Sequence, residues 1–208
     1  VDMRLRPSAR QGPVATSLDA FMDYQRNDAW TWEHLALTRA RGVAGDPTLL
    51  ADIEAFRRRL LVEKSGGATV LADVADMRRR IAEVRSDHNA DDAKIGRGRL
   101  QDIELFAQSI ALRAGSVAGQ TAVQLQSGVA SGLLDAADAQ ALSDAAGLLW
   151  NLQTATRLLT GGEADLDTLA EGAKRVVLRE TGCADLAALR AALVSSATQA
   201  DRIIQRQL

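Results

Sequence analysis

The charged residues with the clearest chemical pattern are Asp2, Arg4 and Arg6. They alternate with apolar residues over positions 1–6, and a proline follows at position 7. Such alternation is typical of a half-buried β-strand whose charged side chains share one face. A carboxylate and two guanidiniums on one face suit a site that holds a metal ion and an anionic ligand such as a nucleotide triphosphate. An edge strand with its charged face in solvent is an equally good explanation.

A second group of distinctive residues lies at positions 30–41, which contain two of the three tryptophans of the chain. Glu33, Leu37 and Arg41 share one face if this segment is a helix, and Arg39 lies close by. Two arginines and a glutamate near tryptophans suit the lining of a nucleotide pocket. The alternative is a partly buried helix whose ions form surface pairs, which are individually weak.

A third group comprises Asp102 and Glu104, which follow Lys94, Arg97 and Arg99. Residues two apart do not share a helix face, so these carboxylates cannot both bind one metal ion without a special cap geometry. Acidic residues in the first turn also simply favour the helix dipole. The sequence contains no phosphate-binding loop of the Walker type, no nucleophile elbow and no dinucleotide fingerprint.

Composition limits the classes of function. Hydrophobic residues make up 47% of the 208 residues and charged residues 25%, as in soluble globular proteins. A net charge of −2 argues against a basic nucleic-acid binder. The single cysteine, Cys183, excludes an internal disulfide, and with only two histidines a structural zinc site is not expected. Since no apolar run is long enough for a membrane span and no signal peptide is recognised, we expect a cytoplasmic protein.

The elements that position these residues are mostly helices. Residues 1–7 and 14–16 are predicted to form a short β-hairpin, and the start within a strand suggests a piece of a longer protein. The glycine pair after Ser65 is the candidate domain boundary. The arginines at 57–59 are interpreted as a solvated face near a helix end. Before residue 86, helices are predicted from a cap at 16 or 17 to 26, from 29 or 30 onward, from 47 to about 62, and from 69 or 70 to about 85. A loop is predicted at 86–99, and further helices over 100–114, 120–131, 135–160, 166–180 and 185–206. The predicted caps are Asp46, Asp135 and Asp165, and the predicted helix stops are Gly115, Gly132, Gly161 and Gly182.

Two sets of residues match a known family in order and spacing. The first covers 1–8, 11–17, 24–34 and the Ala40-Arg41 pair, and the second runs from Asp92 to Gly96 and through Gly98 to 104. They resemble the glutamine synthetase adenylyltransferases, and the first set is similar to the carboxyl-terminal, adenylylating half of these bifunctional enzymes. The resemblance extends along essentially the whole chain, although its last part matches in helical character more than in motifs.

The resemblance implies an enzyme that transfers AMP from ATP to a tyrosine of glutamine synthetase, with a second half that removes the AMP by phosphorolysis. It implies Mg²⁺ and ATP, with glutamine synthetase and the regulatory protein PII as partners and no nucleic acid or membrane. The implied fold is mainly α. Residues 1–64 would be the carboxyl-terminal end of a nucleotidyltransferase α/β domain, and 68–208 a helical bundle similar to that of PII uridylyltransferase.

The resemblance also implies roles for individual residues. Asp2 would be the third carboxylate of the catalytic metal site, with Arg4 and Arg6 supporting it. Since the other two carboxylates do not occur in this chain, it is not expected to transfer AMP alone. Contact with the triphosphate is assigned to Arg39, Arg41 and Lys94, whereas Lys94, Asp102 and Glu104 belong to the family's second signature.

This sequence departs from that signature at two positions. Arg99 replaces the second of a glycine pair, which puts the backbone conformation of the loop in doubt, and Leu105 replaces a phenylalanine. Two other functions remain as alternatives. One is a PII uridylyltransferase, against which the tryptophan-rich run at 30–34 argues. The other is a non-catalytic helical module that binds glutamine synthetase or PII.

Overall fold

A computed structural model of the chain describes residues 15–67, 69–84, 91–162 and 165–208. Within these ranges the regular structure is entirely α-helical, so the predicted mainly α fold is confirmed. No described helix has both the length and the apolar character needed to cross a membrane. The helices are α1 (Leu18–Asn27), α2 (Thr31–Arg39), α3 (Pro47–Ser65), α4 (Val70–Val84), α5 (Leu100–Arg113), α6 (Thr121–Ala130), α7 (Ala136–Thr160), α8 (Glu171–Thr181) and α9 (Leu186–Gln207).

Helix α5 is the centre of the fold because it is buried on two sides. Ile103, Phe106 and Ile110, spaced three and four residues apart, face the larger cluster of apolar side chains, which also takes residues from α6, α7, α8 and α9. Leu105 and Leu112, seven residues apart, face a smaller cluster that includes residues of α2, α3 and α4. A helix that is apolar nearly all round must lie inside the protein, and α5 accordingly packs against α2, α3 and α4 as well as α6, α7 and α9.

Most predicted helix ends agree with the structure, with four exceptions. Helix α2 ends at Arg39, so Arg41 does not lie on the helical face predicted for it with Glu33 and Leu37, and α3 extends to Ser65 instead of about 62. Asp135 precedes α7 without a side-chain cap hydrogen bond, and the start of α8 also differs.

Asp165 does not cap α8, since its carboxylate accepts the backbone N–H of Asp167 at 2.9 Å in a turn, and α8 begins only at Glu171. Asp46 caps α3 as predicted, accepting the N–H groups of Thr48 and Leu49. The four glycines predicted to end helices all have positive φ angles, as the left-handed conformation after a helix requires.

The predicted β-hairpin is not supported. Residues 1–14, including its first strand, lie outside the described residues, and Ala15 and Thr16 are not in a strand. The domain boundary predicted at 65–67 remains a prediction. The smaller cluster joins side chains from both sides of that point, with Leu35 and Leu61 before it and Val70 and Val74 after it.

Candidate functional site

The loop of residues 91–99, which we call the signature loop, folds back onto the amino end of α5. The Asp92 carboxylate accepts the N–H groups of Lys94 and Ile95, at 2.7 and 3.1 Å, and closes the first turn of the loop. The carbonyls of Ala93 and Lys94 then accept the N–H groups of Leu100 and Gln101, both at 3.1 Å. Since the first N–H groups of a helix lack partners within it, these bonds attach the loop firmly to α5.

Gly98 is the point at which the signature loop meets α9. Its φ angle is +66°, and a Cβ atom built on it would lie 1.9 Å from the Ala197 carbonyl oxygen. Its N–H group donates to the Asp102 carboxylate at 2.7 Å. Only glycine fits such a backbone approach in this conformation.

Arg78 links three helices through its guanidinium. Its Nε and Nη2 atoms donate to the two Asp102 oxygens on α5, at 2.5 and 2.7 Å, and Nη2 also donates to Asp201 on α9 at 2.9 Å. The side chains of Arg78 and Asp102 are only 7% and 10% exposed. Burial alone lowers the pKa of Arg78, but the hydrogen bonds and charges of the two carboxylates outweigh it and raise that pKa.

A cavity of 260 Å³ opens beside the signature loop, between α4 and α5. Four apolar side chains form much of its wall. Arg78 and Asp102 are already paired with each other there, while Arg97 is 58% exposed and its Nη1 atom lies 4.0 Å from Asp201. Pockets that combine an apolar wall with a few polar groups are typical ligand sites. The apolar lining is Ile81, Ala82, Ile95 and Leu105, and the polar lining is Arg78, Gly96, Arg97, Gln101 and Asp102.

The other end of the signature loop is held by Arg190 of α9. Its guanidinium donates to both oxygens of Asp91, at 2.9 and 2.8 Å, and also to Asp167. The Asp91 side chain is 3% exposed, and its hydrogen bonds with Arg190 lower its pKa. Arg190 therefore holds one end of the loop directly, whereas at the other end Arg78 fixes Asp102, which in turn accepts the N–H group of Gly98.

Arg99 does not disturb the loop in the way that the sequence suggested. Its φ and ψ angles of −84° and 176° are those of extended backbone, which any residue adopts. The left-handed conformation falls one residue earlier, at Gly98. Burial lowers the pKa of Arg99, against the charges of Asp92 and Asp91, which raise it.

Asp102 and Glu104 point to different partners, as their spacing predicted. Asp102 binds Arg78 and Gly98, whereas Glu104 pairs with Arg39 of α2, its Oε1 atom 3.1 Å from Nη1. The structure thus brings two predicted site residues, Arg39 and Glu104, together across the α2–α5 contact. Asp102 is engaged within the fold through both of its oxygens.

The remaining predicted residues do not share one cavity. Arg41 lines an apolar cavity of 240 Å³ next to α3, whereas Lys94 lines a pocket of 40 Å³ beside Arg157. Asp2, Arg4 and Arg6 lie outside the described residues. In the part of the chain that the structure describes, no group of three or more His, Cys, Asp or Glu side chains is arranged to hold a metal ion.

The contacts of several buried or paired arginines were not predicted, because their partners are distant in sequence. Arg57 was predicted to be solvated, which is wrong. It is 6% exposed and donates to the carbonyls of Leu37 and Thr38 at 3.0 and 3.2 Å, where it caps α2, and to that of Val117. The contacts of Arg57, Arg78 and Arg190 have no local signal in the sequence.

Comparisons with known proteins match two family models to the chain. Residues 1–56 match the family described as glutamate-ammonia ligase adenylyltransferase, and residues 75–207 match the family described as GlnD PII-uridylyltransferase. Among curated proteins, similar relatives are called bifunctional glutamine synthetase adenylyltransferase/adenylyl-removing enzymes. One from Rhodopseudomonas palustris is 38% identical over 99% of the chain, and one from Mesorhizobium japonicum is 40% identical over 93%. The chain spans only 21% and 20% of these two relatives.

Proposed function

We propose that this chain, which belongs to the glutamine synthetase adenylyltransferase family, is part of an enzyme that transfers AMP from ATP to a tyrosine of glutamine synthetase. The other half of such an enzyme removes the AMP by phosphorolysis, so that the pair regulates nitrogen assimilation. The observation that carries this proposal is the similarity to bifunctional adenylyltransferases along 99% of the chain. The chain spans about a fifth of those relatives, so the proposed activity is that of a longer protein.

Within that activity the proposed roles divide between two parts of the chain. We assign the metal ligand to Asp2, which would hold Mg²⁺ together with residues from elsewhere, and support of the phosphates to Arg4 and Arg6. The described residues do not themselves form a metal site. Their proposed contribution is to place Arg39, which Glu104 holds at 3.1 Å, and also Arg41 and Lys94, toward the nucleotide.

A second candidate function is supported by the match to the PII-uridylyltransferase family over residues 75–207. In this case the helices bind the regulatory protein PII or glutamine synthetase without taking part in chemistry. Uridylyl transfer itself is less well supported, because the relatives that match along the whole chain carry the name of adenylyltransferases. Both candidates place the protein in the cytoplasm, where its partners would be.

The test is a chimera in which this chain replaces the matching segment of the Rhodopseudomonas palustris enzyme, which is 21% of that enzyme. We expect the chimera to label glutamine synthetase from radioactive ATP and Mg²⁺, and the isolated chain not to do so. Transfer of UMP to PII in place of AMP to glutamine synthetase would contradict the proposal. If the chimera does not label glutamine synthetase although the isolated chain captures PII or glutamine synthetase, the second candidate is favoured.

The Arg39–Glu104 pair offers a sharper test within the same chimera. If Glu104 serves to hold Arg39, Arg39→Gln and Glu104→Gln should lower the labelling rate to a similar extent, and the double variant should be no worse than either. The matched control is Arg202→Gln, because Arg202 is exposed on α9. Independent, multiplying effects of the two substitutions would show that the pair does not act as a unit.

A further inference from the structure

We propose that the 260 Å³ cavity beside the signature loop binds a small ligand that carries one anionic group, a carboxylate or a phosphate, on an apolar body. Residues of the second signature, such as Ile95 and Asp102, form part of this cavity, but none of the residues assigned to the metal ion or the nucleotide does. Its lining includes neither Arg39, Arg41 nor Lys94. The inference therefore does not rest on the proposed function.

The apolar wall sets the body of the ligand. Ile81 and Ala82 of α4 face Ile95 of the loop and Leu105 of α5 across the cavity. A cavity of 260 Å³ with such a wall suits an aromatic ring or a branched aliphatic group rather than a chain of polar groups. Leu105 is itself 9% exposed and forms part of the smaller core cluster, so this wall is fixed by the packing of α5.

The polar groups of the cavity determine the charge of the ligand. Asp102 uses one oxygen for Arg78 and the other for both Arg78 and Gly98, so it is not free to receive a cation. Arg78 is committed to Asp102 and Asp201. The two guanidiniums of the lining, Arg78 and Arg97, are balanced by Asp102 in the lining and by Asp201 beside it, so the case for an anion rests on the donors that Arg97 still offers.

Arg97 is the group that would meet the anion. Its side chain is 58% exposed, and the carboxylate of Asp201 lies at the limit of an ion pair, 4.0 Å from Nη1. When the Gln205 amide is oriented with its oxygen inward, it accepts from the same Nη1 atom at 2.5 Å. A guanidinium has five N–H donors in a planar fork, so Arg97 retains donors for a carboxylate or a phosphate at the mouth of the cavity.

The experiment is an NMR titration of the whole chain, labelled at isoleucine and leucine methyl groups, with benzoate, phenyl phosphate and uncharged benzyl alcohol. We expect saturable shifts centred on Ile81, Ile95 and Leu105 with the two anions, and binding at least about fivefold weaker with benzyl alcohol because the guanidinium contact is lost. A preference between the two anions identifies the headgroup.

Two variants and a control make the test specific. Arg97→Gln should weaken benzoate binding about fivefold or more without disturbing the other methyl signals, and Leu105→Phe should abolish it by filling the cavity. Arg175→Gln, an exposed arginine on α8, should leave binding unchanged. Unchanged affinity in Arg97→Gln, shifts centred on other methyl groups, or no saturation at about 10 mM ligand would overturn the proposal.

Discussion

Gly98 lies where the signature loop comes closest to α9. An alanine there would combine a φ angle of +66° with a Cβ atom 1.9 Å from the carbonyl oxygen of Ala197, which is backbone and cannot rotate away. Strain of this kind and overpacking each cost from one to a few kcal/mol. We expect Gly98→Ala to lower the free energy of unfolding by about 3 kcal/mol, as measured by urea denaturation.

Gly147 provides the matched control for that substitution. It lies within α7, and a Cβ atom built on it would meet nothing within 4 Å. Because alanine favours a helix more than glycine does, Gly147→Ala should raise the free energy of unfolding by up to about 1 kcal/mol. Equal effects of the two substitutions would mean that the contact between Gly98 and α9 does not determine the cost.

The loop predicted at 86–99 is confirmed over residues 91–99, while 86–90 lie outside the described residues. The reason for its glycines was not predicted. The sequence put the loop conformation at Arg99 in doubt, because the family has glycine there. The backbone at Arg99 is extended, however, and accepts any residue. Glycine is necessary at position 98 because the carbonyl of Ala197, on α9, lies too close for a Cβ atom. A contact between residues so far apart along the chain leaves no local pattern, and no periodicity argument could have found it.

His34 should make stability depend on pH near neutrality. Its ring is buried, with Nε2 2.9 Å from the Gln25 carbonyl oxygen, and burial lowers its pKa below the ordinary 6.5. Below that value the unfolded chain takes up a proton that the folded protein does not, so stability falls as the pH drops through 6.5 toward the folded-state pKa. We expect the urea midpoint of the chain to be lower at about pH 5.5 than at about pH 7.5.

The comparison that isolates His34 is the same measurement on His34→Gln. Glutamine does not titrate, and its amide N–H can still donate to the Gln25 carbonyl, so the pH dependence in this range should largely disappear. The carboxylates with lowered pKa values, such as Asp91 and Glu54, act only at more acidic pH. An undiminished slope in the variant would assign the effect to other groups.

At the scale of elements, Arg78 joins α4 to α5 and α9. Its removal would leave the buried Asp102 carboxylate without the partner that compensates its burial. Breaking one side of a buried ion pair typically costs about 3–5 kcal/mol, and Gly98 would still donate to Asp102. We therefore expect Arg78→Met to lower the free energy of unfolding by about 3 kcal/mol, as measured by urea denaturation.

Arg79 is the control, because it is the next residue of the same helix but its side chain is 59% exposed. Its pairs with Asp76 and Glu83 lie within α4 and in solvent, where such pairs contribute little. Arg79→Met should leave the urea midpoint unchanged within error. Similar losses for Arg78→Met and Arg79→Met would mean that helix propensity, not the link between helices, is responsible.

Helix positions were predictable from the sequence, whereas the partners of each helix were not. Apolar spacing, glycine stops and the cap at Asp46 fixed most helix ends, because those signals are local. The start of α8 was missed since the Asp165 side chain closes a turn instead of capping a helix. The burial of Arg57 was missed for a different reason, as its acceptors are the carbonyls of α2 and of Val117.

At the scale of the whole molecule, the candidate site was partly predictable. Because Asp102 and Glu104 are two residues apart, their side chains were expected to point in different directions. In the structure they do, since Asp102 pairs with Arg78 and Glu104 with Arg39. The cavity beside the loop could not be predicted. Its lining comes from α4, from the loop and from α5, so it is a property of the packed helices together.

The smaller cluster also makes the predicted domain boundary testable. A fragment of residues 69–208 keeps the whole larger cluster, whose buried members all lie between 93 and 204, so we expect it to fold with the helical circular dichroism of α5 to α9. It loses Leu35 and Leu61, however, and this uncovers Leu105 and Leu112 of α5. Burial of a leucine contributes about 1.5–3 kcal/mol, so the fragment should lose about 4 kcal/mol of stability.

For a chain of this size, a loss of that magnitude corresponds to a melting temperature lower by about 10 °C. Since the newly exposed leucines form one apolar patch, the fragment should also bind an anionic naphthalene dye that the whole chain does not bind. Leu61→Ala in the whole chain should reproduce part of the drop, about 3 kcal/mol, because it empties the same cluster from the other side. If the fragment instead melts at the temperature of the whole chain and binds no dye, the residues before 65 form a separate domain, and the contact of α2 and α3 with α5 contributes little to stability.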